Sequence, residues 1–299
     1  MTASPRDIIQ AHCRPRDPLP TDATPVLRPL AGLRAVLFDV YGTLLISASG
    51  ELKKRTDLVA RAEAVRAAFA AATIAGNIPV PATAAAAALV QIIQEIHERA
   101  RAAGIAYPEV EIVDVWKHTI ARLIATGLLP PAAERIDVCR LALEYEVRVN
   151  PVWPMPGLVD CLDQLRDRSM QLGLVTNAQF FTPEIFPALL GRTLEELGFH
   201  AGLQWYSYRY GRAKPDLWLF EQARAGLSRS GVAASEVLYV GNDVLNDVCP
   251  ARRVGFRTAL FAGDARSFRP RLGDPRVADV VPDLVITDLS MLPRCLKGA

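Results

Sequence analysis

The chain has 299 residues, 51% of them hydrophobic and 22% charged, with a formal net charge of +2. That composition belongs to an ordinary globular protein rather than a disordered or fibrous one, and the length accommodates about two domains at roughly 100 to 200 residues each. Lys and Arg are scattered rather than gathered into a basic stripe, so nothing marks a nucleic-acid partner.

The first thirty residues mix Pro, Asp and Arg ("SPRD", "RPRDPLP") and lack the apolar core of a secretory signal. They read as an N-terminal extension, residues 1–30. The cysteines Cys13, Cys139, Cys161, Cys249 and Cys295 are odd in number, far apart and free of any CxxC pair. Such spacing speaks against a disulfide framework or structural zinc and for a reducing, cytoplasmic setting. Leu33 to Phe38 is a short apolar run that reads as a central strand buried on both faces of a parallel sheet.

From about residue 47 to residue 150 the character changes. "LVARAEAVRAAFAAA", "AAAALVQIIQEIHERARAAG", "EIVDVWKHTIARLIATG" and "AAERIDVCRLALEYEV" place apolar residues at helical spacing, with Pro, Gly and Asn between them. This predicts an all-helical insert of about four helices. The Ala-rich run after Pro81 soon reaches Glu95 and Glu98, short of the ~20 apolar residues of a membrane span. "NPVWPMPG" then reads as a linker.

Beyond it, helices and strands alternate. "LVDCLDQLRDRS", "TLEELG", "PDLWLFEQARAGL" and "DVCPARRVG" read as helical, and "QLGLVTN", "LQWYSY", "EVLYVGN", "RTALF" and "DLVIT" as strands. Alternation of this kind implies βαβ crossovers and a doubly wound parallel sheet, whose ligands bind outside the carboxyl ends of the strands. Residues 31–46 and 151–299 thus form an α/β core and residues 47–150 a second, helical domain.

At those strand ends stand Asp39, followed by Gly42 and Thr43; Thr176 and Asn177; Lys214 in "GRAKPD"; and Asn242, Asp243, Asn246 and Asp247 in "GNDVLND". Taken singly each is ordinary: Asp before Gly is most often a turn residue, a Thr-Asn pair a helix cap. Their succession in one order along alternating strands is what points to chemistry. Carboxylates with other oxygen donors are the surroundings Mg²⁺ prefers.

"FDVYGTL", "LVTN", "AKPD" and "VGNDVLNDV...VGFRT" resemble the four motifs of the haloacid dehalogenase superfamily, and the helical insert resembles that superfamily's cap. The resemblance runs from about Leu33 to Leu292. It implies that Asp39 is a nucleophile forming a covalent aspartyl intermediate, a device that splits one hard displacement into two. Thr176, Asn177, Gly42 and Thr43 would hold the transferring group, and Lys214 would offset negative charge. Asp39, the Tyr41 carbonyl, Asn242, Asp243 and Asp247 would supply Mg²⁺ ligands.

Two positions depart from the phosphatase pattern. Tyr41 stands where a second aspartate normally serves as acid and base, and tyrosine at that position is a hallmark of the true haloacid dehalogenases, whose departing halide needs no proton. Asn242 stands where a metal aspartate is expected, with Asp243 one residue late. Retention of Asp243 and Asp247 tilts the expectation towards a Mg²⁺-dependent phosphatase of a small phosphorylated metabolite. The alternatives are a metal-independent 2-haloacid dehalogenase with the same nucleophile, and a low-turnover member serving as a binding or scaffold protein. The expected partner is a small molecule, with no membrane or nucleic acid, and a homodimer stays open. In the insert, Arg55, Lys117, His118 and Arg122 are charges that could face the cleft; Trp116 there, and Trp205 and Tyr208 in the core, read as packing residues.

Overall fold

The computed structural model describes residues 3–48, 58–73 and 79–297. Its centre is a six-stranded parallel sheet, as the alternating pattern implies. The strands are β1 (Ala35–Phe38), β4 (Gln171–Thr176), β5 (Phe199–Tyr206), β6 (Val237–Gly241), β7 (Arg257–Phe261) and β8 (Leu284–Ile286), in spatial order β5-β4-β1-β6-β7-β8. Period-two alternation divides each strand between two faces. Val36, Phe38, Leu238 and Val240 enter one core, and Ala35, Leu37, Val237 and Tyr239 enter the other. Both faces are apolar because both are covered, by α6 (Leu158–Asp167), α7 (Thr182–Leu190) and α10 (Met291–Cys295) on one side and α8 (Leu217–Arg229) and α9 (Cys249–Arg253) on the other.

The order reverses at β1, which has β4 on one side and β6 on the other. That is the switch point where a crevice opens beyond the carboxyl ends. The insert supplies α2 (Leu58–Ala72), α3 (Ala82–Ala102), α4 (Ile112–Ala125) and α5 (Val138–Val149). These helices bury a core of their own, in which the Trp116 ring meets Phe69 and Tyr145 edge-on at 5.9 and 5.3 Å. Where the chain leaves the sheet and returns to it, β2 (Leu45–Ser47) and β3 (Val152–Pro154) pair as an antiparallel ribbon that the sequence pattern did not announce.

Two other elements differ from expectation. "TLEELG" is not a helix: Glu196 turns back to accept from the Thr193 N–H at 2.7 Å, and Gly198 at φ +95° ends the turn. The helix of that crossover lies earlier, in α7, which begins at Thr182-Pro183, a place where proline's missing N–H costs nothing. The N-terminal extension is also structured. Its helix α1 (Pro5–His12), closed by a Ser4–Asp7 capping box, sinks Ile8 and Ile9 into the main core between α5 and α7. Val26 then exchanges backbone hydrogen bonds with Val285 of β8 at 2.9 and 3.0 Å, covering the open edge of the sheet.

Candidate active site

The first strand delivers Asp39 to the switch point. Four fully buried apolar residues precede it, and its own N–H continues the ladder to the Val240 carbonyl at 2.9 Å. The chain then turns at Gly42, φ +86°. A Cβ at that position would lie 2.5 Å from Ser267 Cβ and 2.8 Å from Asn242 Nδ2, so glycine alone lets this turn sit against the fourth strand end.

Lys214 is the hub of the site. Its side chain is 3% exposed, and an ammonium has three protons to donate. They go to Asp39 Oδ1 at 2.7 Å, Asp247 Oδ1 at 2.6 Å and the Tyr239 hydroxyl at 3.1 Å. Tyr239 accepts from the lysine and shares its own proton between the Val175 carbonyl, 2.9 Å, and Asp247 Oδ1, 3.0 Å. Asp247 Oδ2 accepts the Asp243 N–H at 3.0 Å. A Cβ on Gly241 would fall 2.4 Å from Asp247 Cγ, so this carboxyl rests directly on bare backbone.

The electrostatics follow from burial. Burial pushes the Asp247 carboxyl up to about 6; Lys214 pulls the other way, and the charges of Asp39 and Asp243 add to the rise. Burial alone would lower Lys214, but the two carboxylates beside it outweigh that and hold it above its ordinary value. The ammonium therefore stays charged, with both carboxylates anchored to it.

The remaining sequence candidates divide. Thr176 Oγ1 is fully buried with no hydrogen-bond partner among the described residues, a hydroxyl available to a ligand oxygen. Asn177, expected to bind substrate, uses its side chain to hold the Lys214 backbone, accepting its N–H at 2.8 Å and donating to its carbonyl at 3.4 Å. The Thr43 hydroxyl donates to Asn242 Oδ1 at 3.3 Å, and Asn242 Nδ2 donates to the Ser267 carbonyl at 2.5 Å. Tyr41 points its hydroxyl at Thr182 Oγ1, 2.9 Å away. There it lines an interior hollow with Ile9, Cys13 and Glu146, and burial pushes the phenol above its already high value.

Lys117 is engaged with Asp114 at 3.0 Å, and Arg122 with Glu95 at 2.7 and 3.0 Å. With His118 the Arg122 pair lines a shallow groove on the insert's outer surface, not the Lys214 cluster. Arg55 lies outside the described residues. Trp116 and Trp205 are buried packing residues, and Tyr208 is half-buried with its hydroxyl accepting from Arg209 at 3.2 Å.

The Mg²⁺ ligand set expected from sequence does not assemble. The carboxylate of Asp243 is taken up by Arg271, Asn246 and two backbone N–H groups. Asp247 is taken by Lys214, Tyr239 and the Asp243 N–H, and Asn242 by Thr43 and Ser267. Of the expected ligands, Asp39 Oδ2 and the Tyr41 carbonyl accept from no described residue, and among the described residues no group of three His, Cys, Asp or Glu side chains is arranged to hold a metal. The spare carboxylates that suggested a metal are spent inside the protein.

Sequence reasoning missed five residues. Tyr239 was within reach, because it lies two residues before Gly241 and so on the face that Asp247 touches. Arg271 and Ser267 come from a loop after β7. Glu109 and Gln179 join the insert to the core: Gln179 donates to the Val110 carbonyl at 2.8 Å and accepts the Ile112 N–H at 3.1 Å. Glu109 accepts from Ser207, whose hydroxyl in turn accepts the Ala178 N–H. Burial raises the Glu109 carboxyl, against the pull of the Val110 N–H and Ser207.

Comparison with known proteins gives the setting. A family model described as haloacid dehalogenase-like hydrolase matches residues 33–255. A glyceraldehyde 3-phosphate phosphatase of Methanocaldococcus jannaschii is 30% identical over 116 residues, 38% of this chain and 46% of that protein. A phosphoglycolate phosphatase of Pseudomonas aeruginosa is 31% identical over 148 residues, 48% and 47% of the two chains. The chain thus spans under half the length of these curated relatives. A solved 2-haloacid dehalogenase from Pseudomonas syringae superposes with a TM-score of 0.56 at 21% identity, covering 88% of this chain and 97% of that one, which establishes a shared fold. No helix among the described residues is long and apolar enough to cross a membrane.

Proposed function

Because the chain belongs to the haloacid dehalogenase-like hydrolase family, we propose that it hydrolyses a small anionic substrate in two steps through an ester on Asp39. The observation that carries this reading is the state of that carboxylate. It is buried, one oxygen is fixed by Lys214 at 2.7 Å, and the other accepts from no described residue. An oriented, desolvated carboxylate with one free oxygen is placed to attack. In the first step Asp39 Oδ2 forms the new bond as the leaving group departs with its electron pair. Water then resolves the ester and restores the carboxylate. Lys214 offsets charge throughout, and the Thr176 hydroxyl is available to an oxygen of the transferring group.

The phosphatase names of the two curated relatives favour a phosphorylated metabolite as the substrate class. The site narrows it. A positioned acid is worth about 10²- to 10⁴-fold, and the side chain at the acid position, Tyr41, is turned to Thr182. The substrate is therefore one whose leaving group departs as a stable anion, such as an acyl phosphate, rather than a sugar phosphate losing a basic alkoxide. The second reading, a 2-haloacid dehalogenase, rests on the same Tyr41: a halide also leaves without a proton.

The test is to incubate the protein with acetyl phosphate, a panel of sugar phosphates and 2-chloropropionate, each with Mg²⁺ and with chelator. Phosphate release from acetyl phosphate well above that from sugar phosphates is expected, and Asp39→Asn should abolish it. Chloride release without phosphate release would establish the second reading, and full activity in the Asp39→Asn protein would sink both.

A further inference from the structure

Asp243 is the most heavily bonded side chain at the four strand ends. Its Oδ1 accepts from Leu245 N–H at 2.9 Å, Asn246 N–H at 3.3 Å and Arg271 Nε at 2.9 Å. Its Oδ2 accepts from Asn246 Nδ2 at 2.9 Å and Arg271 Nη2 at 2.5 Å. An ionised carboxylate offers about four lone-pair sites, and five donors exhaust them. The Arg271 contact is fork to fork, the geometry in which guanidinium binds a carboxylate with both charge and direction.

The loop that brings Arg271 is built for this position. Its backbone runs beside the fourth strand end, with Arg269 N–H donating to the Asn242 carbonyl at 2.9 Å and Val244 N–H to the Arg269 carbonyl at 3.0 Å. The Ser267 carbonyl holds the Asn242 amide, and Asp264 closes the loop by accepting the Arg266 N–H at 3.1 Å. Arg271 itself sits at φ +54°, a conformation that costs a residue with a side chain roughly 1–2 kcal/mol. The loop accepts that cost where its guanidinium meets Asp243.

We propose that Arg271 is a built-in cation that takes the charge-balancing place of a divalent metal at the fourth strand end. The centre is then assembled metal-free, and Asp243 is a positioning residue rather than a ligand. With Lys214 held between Asp39 and Asp247, each of the three carboxylates Asp39, Asp243 and Asp247 has a protein-borne cation within hydrogen-bond distance. This inference does not depend on the substrate class, because its readout is cation binding rather than turnover.

The experiment titrates the full-length protein with Mn²⁺, reading free ion by electron paramagnetic resonance and bound ion by calorimetry. The wild type should show no saturable binding up to about 1 mM, the weak end of hard-cation sites. Arg271→Gln and Arg271→Met, checked for folding by circular dichroism, should each gain one Mn²⁺ with affinity raised at least about tenfold, the scale on which neighbours move metal affinity. Adding Asp243→Asn should remove the gain. Two results overturn the proposal: a wild type that already binds one Mn²⁺ tightly and loses it with Asp243→Asn, or a folded Arg271 variant that gains nothing. The wild-type arm decides the matter even where both variants fail to fold.

Discussion

Tyr41 and Asp247 show how far a side chain's role follows from its immediate partners. The Tyr41 hydroxyl is paired with Thr182 in an interior hollow, so its phenol serves packing rather than proton transfer. Tyr41→Phe should cost about 1 kcal/mol of stability, the worth of one buried hydrogen bond, while turnover stays within about twofold, since a lost catalytic acid would cost about 10²-fold or more. Thermal unfolding and steady-state kinetics on the same variant check both halves; a hundredfold loss of kcat with unchanged stability would make the tyrosine an acid.

Asp247 carries the pH dependence. Its folded value of about 6 lies above that of a free carboxyl, so between about pH 4 and pH 6 the native state binds more protons than the unfolded chain. This group's contribution to stability therefore falls as pH rises through that window. Activity should move the opposite way, because the ionised carboxylate is what anchors Lys214 against Asp39. We expect kcat to rise with pH on a limb centred near 6, and Asp247→Asn to erase that limb. Legibility at this scale followed the strand ends: Asp39, Lys214 and Asp247 were visible in sequence because each ends or follows an apolar run. The commitment of Asp243 to Arg271 was not, because the arginine arrives from a loop with no periodicity to read.

Among the elements, the strands were the most readable, since an apolar run between turn residues has few other fates. The β2–β3 ribbon escaped notice because three residues are too few to show a period. The misplaced helix has a different cause. "TPEIFPALL" carries two prolines and looks like a breaker, yet Pro183 lies in the first turn, where its missing N–H has no partner to lose. How the insert docks on the core was likewise invisible, because it depends on single polar residues in loops far apart in sequence. Gln179 is the clearest of these, with its amide closed onto the Val110 carbonyl and the Ile112 N–H. Gln179→Ala should leave both backbone groups without that partner and cost about 1–3 kcal/mol. Faster amide exchange over residues 105–112, with β1 and β6 unchanged, is the expected signature. Unchanged exchange there would mean that other contacts hold the insert in place.

For the molecule as a whole, the N-terminal extension is the least expected part. Its helix lies between a helix of the sheet layer and one of the insert: Ile8 and Ile9 are buried, His12 is 3.8 Å from Glu144, and Arg140 reaches the Ala3 carbonyl at 3.3 Å. Residues beyond it fasten to the far side of the sheet. Leu19 N–H donates to Asp264, Thr21 to the Ala262 carbonyl, and Val26 pairs with β8. A protein lacking residues 1–32 should melt lower and aggregate, because it exposes apolar surface and an unpaired strand edge together. Light scattering and thermal melts would show it; a truncated protein that stays monodisperse at the parent melting temperature would reduce the extension to a passive tail.

The Val26–Val285 pairing also bears on how the chain is made. Its two halves are separated by nearly the whole sequence, and the N–H of Leu30 is likewise answered by the carbonyl of Cys295. Val26 and Leu30 thus wait on the ribosome for partners made long after them, and a domain that folds in the order of synthesis cannot close here until β8 and Cys295 have emerged. The outer edge of β8 stays unsealed until Val26 is laid along it.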